Sequence, residues 1–392
     1  MTTTKTAAMA VAALLCAQGA RAAEPAQEAP RVEASKPEAI TDELAGPDWA
    51  RAAELTIPIK FSGYFWNDTG YLVRRNANDQ AGQPNQDSAY MTGRFVLGAA
   101  YARQFGGLSA IAKVEFLGLV NELTKSAYEP HTLDAYVKLG TSTWDFQIGR
   151  FLAWEVYYRG QGIELYTAEE AGALAAPTLY LLDYTRGLLN EQGQAALHWF
   201  PFADRLVSFE LAGVYGQSPP NNYFGARPAV DVKWKGLEFI AGAELYRQTP
   251  QTAADKANVT SRGYAGRLQY SLPLVTFGVD AARTSVDFTG PDDLIDTSKT
   301  YDKTSFGGFV DVDFWKNSIG LGYHHTSQIN RRGEHFTNNQ AFVSYLVRLP
   351  IEGLSVKAVY GYARAHLEDI DANSQWENYL NSFRLRLLYE FH

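Results

Sequence analysis

His324, His325 and Ser327 come closest to a nucleophile beside a base, and their spacing argues against a shared site. Apolar and polar residues alternate around them, so the segment reads as a strand, in which successive side chains point to opposite faces. His324 then looks one way and His325 the other, and no hydrolase constellation forms. The chain has 7 histidines, scattered without the spacing of a metal site. Its single cysteine, Cys16, lies in an N-terminal apolar run, so beyond that run disulfides, thiolate catalysis and cysteine metal ligation are excluded. No glycine-rich loop follows a strand and opens a helix as a phosphate cradle would. A net charge of -8 speaks against a nucleic-acid partner. The sequence therefore points to no catalysis, no cofactor and no metal.

What remains is charge laid out in ladders. In the last segment Phe383, Leu385, Leu387, Tyr389 and Phe391 occupy one parity, and Arg384, Arg386, Glu390 and His392 the other. The same alternation sets Leu133, Ala135, Val137 and Leu139 against Asp134, Tyr136 and Lys138, and Val310, Val312 and Phe314 against Asp311 and Asp313. Lys60, Arg94, Lys113, Lys357, Glu115, Asp145, Glu210 and Glu244 fall on the charged parity of their own segments. A packed core cannot absorb so many charges. An Arg or Lys at a bilayer midplane costs roughly 2 to 4 kcal/mol, so the charged parity cannot face lipid either. The pattern predicts a closed transmembrane barrel with lipid outside and a wet interior, in which His324 is lumenal and His325 interfacial.

The elements that must position these ladders are long strands. Period-two patterning starts beyond Leu55 and runs to the end. It marks about sixteen antiparallel strands, near 56–66, 90–104, 107–120, 131–140, 143–152, 191–200, 205–216, 224–234, 236–246, 262–271, 274–286, 304–314, 317–327, 338–348, 353–365 and 379–391. Most exceed the usual soluble strand and fit a tilted crossing of a bilayer. Tight connections such as Phe105-Gly106, Thr141-Ser142 and Trp315-Lys316 alternate with long polar ones, the outer-membrane asymmetry. Trp199, Trp234, Phe314, Tyr389 and Phe391 sit at the tight-turn ends, as an interfacial girdle would. Gly 33, Tyr 23, Phe 21 and Trp 8 agree with an all-β membrane chain.

The N-terminus sets the compartment. Lys5, the apolar run Ala7 to Ala17 and the small-x-small Ala20-Arg21-Ala22 predict a signal peptide over 1–22, cleaved after Ala22. The run is shorter than the roughly twenty residues a spanning helix needs. Residues 23–54, rich in Pro, Ala and Glu, read as a flexible periplasmic lead-in with room for a short helix over Thr41 to Leu55, and residues 55–392 as the barrel.

One connection stands out. From Phe151 to Asn190 the chain carries apolar and aromatic residues that would be odd on an external surface, and a loop of that length is functional or disordered. It follows Ala135 to Phe151 (AYVKLGTSTWDFQIGRF), paired strands ending in Gly149-Arg150. That segment and the aromatic-terminated last strand resemble the general trimeric porins of Gram-negative outer membranes. His392 after Phe391 and the longer lead-in depart from the family's pattern. The resemblance implies that loop three folds inward to form the constriction, its Glu155, Arg159, Glu164, Glu169, Glu170, Asp183 and Arg186 opposite a basic wall of Lys60, Arg94, Lys113 and Lys138. It also implies a homotrimer in lipopolysaccharide-containing membrane. The loop's acids outnumber its arginines, which predicts mild cation preference. Passive diffusion of small hydrophilic solutes and a channel specific for sugars, phosphate or organic acids both remain open; an aromatic track of Tyr64, Trp66 and Tyr136 would favour the second. Lys113 has an ordinary alternative, pairing across strands with Asp134.

Overall fold

A computed structural model describes residues 59–76, 85–119, 131–151, 153–154, 163, 191–218, 221–250, 258–289, 300–369 and 374–391. The expected signal peptide, lead-in and short helix lie outside the described residues.

The described chain is all strand: β1 (Ile59–Asn76), β2 (Gln86–Phe105), β3 (Leu108–Leu119), β4 (His131–Gly140), β5 (Trp144–Arg150), β6 (Glu191–Trp199), β7 (Val207–Ser218), β8 (Asn221–Trp234), β9 (Leu237–Pro250), β10 (Asn258–Ser271), β11 (Val275–Thr289), β12 (Tyr301–Phe314), β13 (Asn317–Asn330), β14 (His335–Arg348), β15 (Leu354–Asp369) and β16 (Ser374–Phe391). Each pairs antiparallel with its sequence neighbours, and β1 pairs with β16, from Gly63 opposite Phe391 to Asn76 opposite Asn378. The sheet is therefore a closed barrel with no free edge, which satisfies every ladder as a bilayer demands.

Parity sorts the side chains into an apolar outer face and a charged inner one, as expected. Leu97, Val137, Leu211, Val279, Leu321 and Leu385 are exposed on the outer face, while their charged neighbours Glu115, Asp145, Glu210, Asp280, Asp311 and Arg384 are buried on the inner one. A water-soluble barrel would show the reverse. At the tight-turn end Trp199 stacks on Phe209 (centroids 5.2 Å apart) and Tyr389 on Phe391 (6.3 Å), both pairs in the girdle position. The turn Lys235-Gly236 has positive φ at both residues (47° and 84°), the geometry of a two-residue hairpin whose twist matches its strands.

The strands outrun their sequence limits mostly at the long-loop end. Alternation ends the first strand at Trp66, yet β1 continues to Asn76. Asn67, Asp68 and Thr69 are polar on both parities, which erases the alternation, but continuous pairing with β2 and β16 carries the strand on.

Candidate functional site: the lumenal wall and loop three

Loop three leaves β5 through a backbone that only glycine can supply. Gly149 has φ +132°, and a Cβ there would meet the Ala135 carbonyl and lie 2.8 Å from Tyr136 Cα. Phe151 then turns inward and is buried against Tyr136 (edge-on, 5.9 Å), Ala153, Ala196 and Ala212. Ala196 and Ala212 hold the lumenal parity of β6 and β7, and their small side chains leave the space that Phe151 fills. Gln194 Nε2 donates to the Phe151 carbonyl at 3.2 Å.

Beside this packing lies a charged clamp. His198 sits between two carboxylates, Nδ1 2.5 Å from Asp145 and Nε2 2.8 Å from Glu210. An imidazolium meets both with donated hydrogen bonds. Lys138 reaches Asp145 at 3.0 Å, and the other oxygen of Glu210 accepts from the Trp154 backbone at 2.7 Å. Trp154 stacks on His198 at 5.2 Å. Strands β4 to β7 thereby grip the first residues of the loop.

The loop reaches the far wall. The Ile163 amide donates to Asp311 Oδ2 on β12 at 2.9 Å, and Lys357 Nζ on β15 donates to the Ile163 carbonyl at 2.9 Å. Between them Gly320 on β13 makes room: a Cβ there would lie 2.7 Å from Ile163 Cγ1. In the ring order β13 stands half-way round from β5, so Ile163 is held to the wall opposite the strand that its connection leaves.

A third group lines β1, β2 and β16. Arg386 holds Asp68 bidentately, with Nε 2.5 Å from Oδ1, and Arg384 approaches the same carboxylate at 3.8 Å. All three side chains are 0% exposed. Arg386 lies 4.0 Å over the Trp66 ring, and Arg94 packs 5.3 Å from Trp66 and 5.4 Å from Tyr64, so guanidinium and aromatic planes alternate along the wall.

Of the expected basic wall, Arg94 belongs to this stack. Lys113 is committed to Glu115 (2.7 Å) and Asp134 (3.6 Å), the cross-strand pairing that is its ordinary alternative, and Lys138 to Asp145. Lys60 holds the lumenal parity near the tight-turn end, where it is exposed. Glu155, Arg159, Glu164, Glu169, Glu170, Asp183 and Arg186 lie outside the described residues. Residue pattern does not single out Asp68, His198 or Arg227, whose guanidinium lies 3.5 Å from Glu244 on the inner face. Asp68 falls past the expected strand end; the other two sit on the inner parity of expected strands, and that parity is the available signal. His324 is buried on the inner face against Phe342 (6.1 Å), while His325 bonds Asn339 on the outer face at 2.9 Å. Among the described residues, no group of three or more His, Cys, Asp or Glu side chains is placed to hold a metal.

No protein-family profile matches the sequence, and no curated protein does. Solved structures do. In-vitro folded OmpT, an outer membrane protein of Vibrio cholerae, superimposes with TM-score 0.60 at 15% identity, covering 85% of this chain and 97% of that one. The anion-selective porin from Comamonas acidovorans gives 0.57 at 12% identity, covering 85% and 99%. The trimer form of Vibrio cholerae OmpT gives 0.54 at 14%, covering 86% and 100%. At these identities the likeness shows the fold, that of outer-membrane barrel proteins.

Proposed function

We propose that this chain is a non-enzymatic outer-membrane channel of a Gram-negative bacterium, exported by cleavage after Ala22, through which ions and small hydrophilic solutes diffuse passively. The observation that carries this reading is the pair of bonds from Ile163 to Asp311 and Lys357. A loop residue held to the far wall inside a lipid-facing barrel narrows the lumen, which is the construction of a sieve. Assembly as a homotrimer belongs to the same reading, supported by the porin resemblance and by the trimer form of a structural neighbour.

The acids Glu155, Glu164, Glu169, Glu170 and Asp183 against Arg159 and Arg186 give the channel a mild cation preference. Planar-bilayer recording tests both statements. Conductance proportional to salt, with a reversal potential of cation sign in a potassium chloride gradient, is expected. A silent bilayer overturns the channel, and an anion-sign potential overturns the preference alone.

A second reading has its own observation. The Tyr64, Arg94, Trp66 and Arg386 stack offers apolar planes and cations together, which suits a channel selective for sugars, phosphate or organic acids. Block of the conductance by one such solute, relieved by Tyr64→Ala and Trp66→Ala, favours it; unchanged solute passage removes it.

A further inference from the structure

Three arginines break the apolar outer face near the long-loop end of β9, β10 and β11. Arg247, Arg262 and Arg283 all hold the outward parity and are exposed. Their registers make them diagonal neighbours. Arg262 faces Leu245, two residues from Arg247, and Arg283 faces Tyr264, two residues from Arg262. Such positions lie about 7 to 8 Å apart across a ladder, within the span of one or two phosphate groups held between long side chains. Arg331, in the turn after β13, joins them through Asp287, which lies 3.7 Å from Arg262 and 3.5 Å from Arg331. Among the described residues, Asp287 and the outward Asp302 are the acids on this face, so there the arginines outnumber the carboxylates. Arg247 and Arg283 make no ion pair among the described residues. Other outward rim arginines differ: Arg75 is engaged by Asp87 and Arg364 by Glu377.

Directly below, toward the tight-turn end, the same strands expose Leu245 (61%), Tyr264 (59%), Val279 (60%) and, on β12, Phe306 (49%). Cations above and an apolar floor beneath complement an amphiphile with phosphates at its head and acyl chains below. Guanidinium forks match phosphate oxygens two at a time, which lysine cannot do. An anion free in solution would have no use for the apolar floor.

We propose that Arg247, Arg262 and Arg283 form a binding site for a phosphorylated glycolipid of the outer leaflet, its phosphates bridged between β9, β10 and β11 and its chains lying on Leu245, Tyr264, Val279 and Phe306. This rests on the outer-membrane reading above and adds to it a defined lipid contact. The test uses full-length protein in mild detergent, titrated with bisphosphorylated lipid A or its dephosphorylated counterpart and read by native mass spectrometry. The wild type is expected to carry phosphorylated lipid A as a discrete adduct. In R247Q/R262Q/R283Q the affinity should fall about tenfold or more, while R75Q/R364Q retains it. Equal retention by the triple variant, equal binding of dephosphorylated lipid, or no adduct on the wild type overturns the site. Planar-bilayer conductance of the same samples keeps the two readings apart: normal conductance without an adduct defeats this inference alone, and an adduct without conductance defeats the channel alone.

Discussion

The Ile163 amide donates to Asp311 at 2.9 Å, on β12, seven strands round the sixteen-strand barrel from β5, where its loop begins. With the Lys357 bond to the same residue's carbonyl, this is a two-point tether in which each bond has one charged partner. Such bonds contribute roughly 1.5 to 3 kcal/mol each. Removing both frees Ile163 from the far wall for a measurable fraction of time. Asp311→Ala with Lys357→Met should therefore raise conductance and add slow open-channel noise in single-channel recordings. Asp311→Asn keeps an acceptor and should stay close to wild type.

Gly320 makes a sharper probe of the same contact. Its missing side chain is the space that Ile163 uses, since a Cβ would lie 2.5 Å from Ser344 Oγ and 2.7 Å from Ile163 Cγ1. Gly320→Val should displace the loop tip and change single-channel conductance while the barrel still folds, as judged by its heat-modifiable gel mobility. Unaltered conductance would count against the crossing.

Arg384 and Arg386 share the carboxylate of Asp68, and none of the three is exposed. Asp68→Ala removes the carboxylate that Arg386 holds bidentately and Arg384 approaches, on a wall where both guanidinium groups are buried. Breaking a buried pair by deleting one partner costs about 3 to 5 kcal/mol. The denaturant midpoint of unfolding from vesicles should fall accordingly, and the reversal potential should move toward anions.

How much of this is legible in the residues alone follows from what alternation encodes. Parity assigns a side chain to one of two solvents, so the order of residue types by itself sorts Arg384, Leu385 and Arg386, and repeated turns give the strand count. Parity does not encode partners. Lys113 with Asp134 is legible because adjacent strands fix such pairs; Ile163 with Asp311 is not, because a loop crossing a lumen leaves no periodic trace. Asp68 is hidden for another reason: its strand continues on ladder bonds alone, through a stretch polar on both faces. His198 shows its side of the sheet but gives no sign that two carboxylates close on it.

That clamp has its own consequence. His198 separates Asp145 from Glu210, and Lys138 is bonded to Asp145. His198→Phe keeps a ring beside Trp154 but leaves two buried carboxylates facing one lysine. We expect a loss of about 3 to 5 kcal/mol, concentrated at the root of loop three because Glu210 also holds the Trp154 amide. Trp154 reports it. The fluorescence difference between proteins with and without Trp154→Phe should shift to the red in the His198→Phe background, and an unshifted difference spectrum would show that the clamp does not hold the loop.

The last prediction concerns three consecutive residues of β16. Arg384 and Arg386 are fully buried on the lumenal wall, while Leu385 between them is 45% exposed on the outer face. If lipid meets that face, an arginine is tolerated at the flanking positions and penalised at the middle one, although all three lie at nearly the same depth. Leu385→Arg should cost about 2 to 4 kcal/mol in denaturant titrations from phospholipid vesicles, the midplane penalty for a lipid-facing cation. The measurement separates solvent from packing, because Leu385→Ala shortens the side chain without introducing charge and should cost less. A Leu385→Arg protein as stable in vesicles as the wild type would mean that the outer face does not meet lipid, and the division of the barrel into two solvents would fail with it.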